Sequence, residues 1–99
     1  MADAEIEIEH ELTLDEAVLR LERLFAAKDT EDDLLGGLDF TRTDERFSFS
    51  GKVKGFKLSG EMEVFDRGLR ILVFLPWAAR PFRESANKYI REYFETNLA

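Results

Sequence analysis

The stretch Leu69 to Phe82, LRILVFLPWAARPF, constrains this chain more than any other. It is the most apolar run in the sequence and holds the only Trp and both prolines. From Leu69 to Leu75 the side chains alternate at the period of a strand. Leu69, Ile71, Val73 and Leu75 form one face, and Arg70, Leu72 and Phe74 form the other. The first face suits a core beneath helices. The second would put Leu72 and Phe74 on a sheet face where neighbouring strands offer Ser48, Ser50, Lys57, Ser59, Glu61 and Glu63. Two large apolar residues on a wet face need a cover. The candidates are a curled edge or loop of this chain, a second copy, another protein or an apolar surface. The longest apolar run, Ile71 to Pro76, is far too short to span a bilayer.

Upstream, Glu5 to Leu12 alternates strictly, with Ile6, Ile8, His10 and Leu12 on one side and Glu5, Glu7, Glu9 and Glu11 on the other. This predicts a half-buried strand with an acidic solvent face. His10, the single histidine, falls on the apolar side, where a peripheral core residue with a satisfied hydrogen bond is expected; as a catalytic base it lacks a partner nearby in sequence. Thr13-Leu14-Asp15-Glu16 is a capping box, and Leu12 with Ala17 supplies a hydrophobic staple. Leu14, Ala17, Val18, Leu21, Leu24 and Phe25 then recur at helical spacing, which predicts a helix from about Leu14 to Ala27 or Lys28.

Asp29-Thr30-Glu31-Asp32-Asp33 lacks the Gly and Glu that a calcium loop requires at its sixth and twelfth positions. It reads as a solvated loop or helix end. Leu34-Leu35 can add a short helical turn, and Gly36-Gly37 punctuates the chain. Strands are expected over Leu38 to Thr43 and Arg46 to Val53, with Asp44-Glu45 between them. After Val53 the parity shifts to Phe56, Leu58, Gly60, Met62 and Val64, so Lys54-Gly55 marks a tight turn or a bulge. Asp66-Arg67-Gly68 turns into the apolar strand. Pro76 breaks that strand, and Pro81 suits the first turn of a last helix. There Phe82, Ala86, Tyr89, Ile90, Tyr93 and Phe94 form an aromatic stripe toward the sheet. Arg83, Lys88 and Arg91 face water, and Arg91 can pair with Glu95 one turn on.

Ninety-nine residues with 44% hydrophobic content and nine Phe make one domain, 1–99, with one core. The expected class is α+β: an antiparallel sheet of four to five strands in the order β-α-β-β-β-β-α, with both helices on one face. The absence of Cys excludes disulfides and cysteine metal sites. The acidic start, MADAEIEIEHEL, has no apolar signal core, so a cytoplasmic protein is expected. Net charge is −7, with a balance of −10 over residues 1–50 and +3 over 51–99. An acidic chain is a poor partner for nucleic acid. No nucleophile motif, zinc motif or phosphate loop is present, so no catalytic, cofactor or metal residue is assigned and an enzyme is not expected.

The run FSFSGKVKGFKLSGEMEV, the charged turn, LRILVFLPW, then RPF and an aromatic amphipathic helix resemble the polyhydroxyalkanoic acid system protein family. These are small proteins encoded beside genes for making and using polyhydroxyalkanoate, a bacterial storage polyester. The corresponding positions are Phe47 to Gly51, Val53 to Gly55, Leu69 to Leu75 and Pro81-Phe82, with His10 before the first helix. The acidic insert Asp29 to Asp33 and Trp77 have no counterpart in that pattern, and the family offers no catalytic residues to carry over. The resemblance implies association with polyester granules or their machinery.

Three functions follow as expectations. The first is a non-enzymatic binding or scaffold protein at the granule surface or its coat proteins, with Arg70, Leu72, Phe74, Trp77, Arg80 and Arg83 as the contact. The second is a small carrier for an apolar or acyl ligand between sheet and helices, which requires a cavity above about 300 Å³. The third is a homodimer serving a further partner.

Overall fold

The computed structural model describes residues 3–27, 36–53 and 55–98. The alternating isoleucines and glutamates form strand β1, Ala4–Glu9, with Ala4, Ile6 and Ile8 buried and the glutamates in water. Thr13 opens helix α1, Leu14–Ala26, through the expected capping box. Glu16 N–H donates to the Thr13 hydroxyl at 3.3 Å, and Thr13 N–H donates to Glu16 Oε1 at 3.2 Å. Strands β2 (Leu38–Thr43), β3 (Arg46–Val53), β4 (Phe56–Phe65) and β5 (Gly68–Phe74) follow as a meander. A 3-10 helix spans Trp77–Phe82 and leads into helix α2, Arg83–Asn97. The class and the order β-α-β-β-β-β-α are therefore those expected. The acidic run Asp29 to Asp33 and the Leu34-Leu35 turn lie outside the described residues.

The five strands form one antiparallel sheet in the order β1-β5-β4-β3-β2. β1 returns to pair with the last strand, so the most apolar strand is flanked on both sides. Register aligns Ile6, Ile71, Met62 and Phe47 in one row across β1, β5, β4 and β3. Ile6, Ile71 and Met62 are fully enclosed under the helices, together with Leu21 of α1 and Leu98 just past α2. Phe25 of α1 stacks on Phe40 of β2 and meets Phe47 and Phe94 edge-on, which joins two strands and both helices. Gly60 lies opposite Phe49, and a Cβ there would stand 2.4 Å from the Phe49 ring and 2.2 Å from the Leu72 carbonyl oxygen. The ring covers the glycine, and a larger residue would displace both.

Side chains tie the turns to the helices. Asp66, in the β4–β5 turn, accepts the Leu14 N–H on Oδ1 at 2.6 Å and so caps α1 from another element. Gly55, in the β3–β4 turn, has φ +86, a left-handed conformation that glycine adopts without strain. His10 is buried, 8% exposed. Leu12 N–H donates to its Nδ1 at 3.1 Å, and its Nε2 lies 3.0 Å from the Gly68 carbonyl. Nδ1 accepts, so Nε2 carries the proton and donates. Both nitrogens bind backbone, and His10 acts as a link rather than a base.

The structure departs from expectation in the last third. Pro81 does not open α2. It lies inside the 3-10 helix, and α2 begins at Arg83. Proline lacks an N–H and its ring collides with the carbonyl four residues back, so the preceding turns tighten to 3-10 and the α ladder starts beyond it. The aromatic stripe is also only partly buried: Ile90 and Phe94 face the core, whereas Phe82 and Tyr89 are exposed. α2 packs chiefly against β1, so its first turns run beyond the sheet's cover. Arg91 does not pair with Glu95. Its Nη1 donates to the Glu7 carbonyl at 2.8 Å, occupying an outward-facing acceptor of the β1 edge.

The capping box makes α1 sensitive to acid. The Thr13 N–H and then the Thr13 hydroxyl hold the Glu16 carboxyl below its ordinary 4.5. A depressed folded pKa adds stability above the unfolded value, and that stability is lost as pH falls through the folded one. Glu16→Gln keeps an acceptor for Thr13 but cannot titrate. In thermal melts the wild type should exceed the variant above pH 4.5, with the gap closing at lower pH.

Candidate interaction surface

The alternation of β5 puts Arg70, Leu72 and Phe74 on the sheet face opposite the helices, and no described element covers that face. Register decides what surrounds each of them. Arg70 lies between Glu7 and Glu63, Leu72 between Glu5 and Glu61, and Phe74 beside Ser59. Arg70 Nε stands 3.5 Å from Glu5 Oε1 and 3.6 Å from Glu7 Oε1, distances of an ion pair rather than a hydrogen bond. The guanidinium also lies 5.8 Å from the centre of the Phe65 ring. Arg46 pairs with Glu63 at 3.3 Å, so charges alternate along the row Arg46, Glu63, Arg70 and Glu7. Arg70 and the half-buried Leu72 thus belong to a charge lattice and not to an apolar patch.

Phe74 differs because it stands at the end of that face, 36% exposed, just before the chain leaves the sheet. Pro76 is extended and caps the 3-10 helix, and Ala79 N–H donates to its carbonyl at 2.9 Å. Ala79 turns inward and is buried, which leaves Trp77 outside at 84% exposure and Phe82 at 56%.

Asp3 holds this exit in place. Its N–H donates to the Val73 carbonyl at 2.9 Å, Oδ2 accepts the Leu75 N–H at 2.8 Å, and Oδ1 pairs with Arg80 Nη2 at 3.3 Å. Arg80 is therefore an anchor of the segment and not a free contact. Arg83, the first residue of α2, is exposed and has no carboxylate partner among the described residues.

The structure adds residues that periodicity assigns to the core. Val53 and Phe56 at the β3–β4 tip face Leu75, Ala79, Phe82 and Tyr89 across an apolar groove of about 390 Å³. The Phe56 and Phe82 rings are 5.8 Å apart. The period reports which face a residue occupies. It does not report whether the opposing helix reaches that far along the strand. Deeper between sheet and helices, a space lined by residues such as Leu38, Met62 and Phe94 is only about 20 Å³. Among the described residues no three acidic or histidine side chains converge to hold a metal ion.

A five-stranded sheet with both helices on one face, with Trp77, Phe82 and Phe74 exposed at one end and Phe56 half-buried beside them, defines a small α+β protein with an aromatic end. The chain belongs to the family described as "Putative polyhydroxyalkanoic acid system protein", whose profile matches residues 4–98. No curated protein and no solved structure matches it. No described helix is long and apolar enough to cross a membrane.

The Asp3 anchor can be tested directly. Asp3→Ala removes the acceptor of a half-buried N–H and should cost about 1–3 kcal/mol in urea unfolding. It should also speed amide hydrogen exchange at Leu75 and Ala79. Asp3→Asn retains an acceptor and should largely restore protection at Leu75.

Proposed function

We propose that this is a non-enzymatic, cytoplasmic binding protein of the polyhydroxyalkanoate system, docking on the storage-polyester granule or on its coat proteins through the aromatic end. The exposure of Trp77, 84%, beside Phe74 and Phe82 is the observation that carries this reading. Each aromatic side chain moved from water into an apolar phase contributes about 1.5–3 kcal/mol. A cluster of two or three is enough for reversible adsorption. The ion pairs of Arg70 and Arg80 leave these two residues the task of holding the face and the exit segment, so the contact narrows to Phe74, Trp77, Phe82 and Arg83. Family membership supplies the polyester context.

Co-sedimentation with isolated granules tests it. The double variant Trp77→Ala, Phe74→Ser should keep the wild-type circular dichroism and lose at least about tenfold in affinity, the equivalent of about 1.4 kcal/mol. Wild-type Trp77 emission should shift to the blue on adding granules. Unchanged sedimentation of the double variant would overturn the proposal, and light scattering on the free protein shows whether a second copy already occupies the end.

The groove favours a second reading, a carrier for an acyl chain. Its volume of about 390 Å³ falls in the range of small-ligand sites, and its walls are apolar. Ala86 lies on its floor. Ala86→Phe should abolish uptake of a fluorescent fatty-acyl probe while leaving granule binding unchanged. No uptake by the wild type would remove this reading.

A further inference from the structure

Beside the aromatic end, the β3–β4 hairpin carries a feature that the fold does not require. Lys52 and Lys57 stand directly opposite each other on the open face of the sheet, and both are exposed. Like charges in directly opposed positions destabilise an antiparallel pair. The arginines of the same face show the contrast, because Arg46 and Arg70 each have a carboxylate within ion-pair distance. Neither lysine has one among the described residues. One row inward the pair is Ser50 opposite Ser59, and Asp39, opposite Ser50, forms no ion pair with either lysine. Glu61, the nearest acidic residue along β4 on this face, lies two rows from Lys57, about 13 Å along the backbone. That is beyond the Debye length at physiological salt.

The two lysines point to the same end of the molecule as the aromatic cluster. Lys52, Lys57, Ser50, Ser59, Phe74 and Pro76 wall one shallow concavity of about 520 Å³, and Trp77 follows Pro76 directly. Arg83, next to Phe82, adds a third cation with no carboxylate partner among the described residues. The chain as a whole is strongly acidic, at −7, with a balance of −10 over its first fifty residues. Against that acidic balance, this end presents Lys52, Lys57 and Arg83 to an approaching anionic surface.

We propose that the aromatic end docks on an interface bearing anionic lipid headgroups, with Lys52 and Lys57 contacting the headgroups while Trp77 and Phe82 enter the apolar layer. This rests on the docking role given above to that end and names the chemistry of the surface it meets. A neutral polyester offers ester carbonyls, which satisfy exposed aromatics but give two opposed ammonium groups no counter-charge. An anionic headgroup layer supplies both.

The test uses the full chain, with Trp77 emission as the readout. The probes are vesicles of phosphatidylcholine alone, vesicles of phosphatidylcholine mixed with phosphatidylglycerol, and lipid-free polyester particles. Lysine near an anionic surface is worth about fivefold in affinity, so Lys52→Gln with Lys57→Gln should weaken binding to the anionic vesicles by about 30-fold. The gap should shrink as salt rises, and the variant should match the wild type on phosphatidylcholine and on polyester. Both residues are exposed, so the fold is retained, with circular dichroism as the check. Equal binding of variant and wild type to anionic vesicles overturns the inference, as does a wild type that ignores phosphatidylglycerol. Trp77-dependent binding to bare polyester with no response to lipid would leave the granule reading standing and remove this one. Lysine-dependent binding to anionic vesicles with none to polyester or to granules would do the reverse.

Discussion

The pairing of β1 with β5 is the contact on which the rest of the molecule depends. It joins the first strand to the last, across almost the whole chain, and turns an open meander into a sheet whose most apolar strand is interior. Without it, β5 would be an edge with Ile71 and Val73 half uncovered, a long apolar edge of the kind that promotes aggregation. The same pairing brings His10 to Gly68 and Asp3 to Leu75. One end of the interface thereby sets the entry to α1, and the other sets the exit toward Trp77. The aromatic end and the helix cap are thus consequences of a single register.

That register also explains the division of labour on the open face. Glu5 and Glu7 come from the first strand, and Glu63 and Arg46 come from the middle of the sheet. Glu5, Glu7 and Glu63 lie beside Arg70 only because β1 and β4 flank β5, and Arg46 joins the row through Glu63. The result is a lattice of opposed charges that satisfies the face in water, with apolar exposure pushed to its rim. Exposed ion pairs of this kind add little stability. Their effect here is on pattern: the centre of the face is unfavourable for an apolar partner and its end is favourable.

The position of α2 completes the arrangement. Ile90, Phe94 and Leu98 bind the helix over the core, and Arg91 ties it to the β1 edge. Its first turns then run beyond the cover of the sheet, opposite the β3–β4 tip. Phe82 and Tyr89 line a groove there instead of a core. The 3-10 segment imposed by Pro81 sets the angle at which this happens, and Ala79 is the small residue that lets the segment lie close.

Much of this molecule is legible from residues a few places apart. The period of two assigns Ile6, Ile71 and Met62 to one face, the Thr13–Glu16 box starts α1, and the Lys54-Gly55 break in parity locates a hairpin. Each of these is decided by backbone geometry within a turn or a strand. The candidate contact was legible only in part. Trp77 and Phe74 stood out by their place in an apolar run, but nothing local says that Arg70 and Arg80 would be neutralised, one by Glu5 and Glu7 and the other by Asp3. Nor does spacing show that Phe82 would be bare, or that the Lys52–Lys57 pair of the hairpin would lie beside Phe74. Such facts depend on which strands become neighbours and how far a helix extends over them. Those are set by closure of the whole sheet between residues as far apart as Ala4 and Val73. The sequence by itself determined the elements and their inward faces, because those obey local periods. Only the tertiary structure decided which charges cancel and which aromatics remain in water, because that depends on register between distant strands.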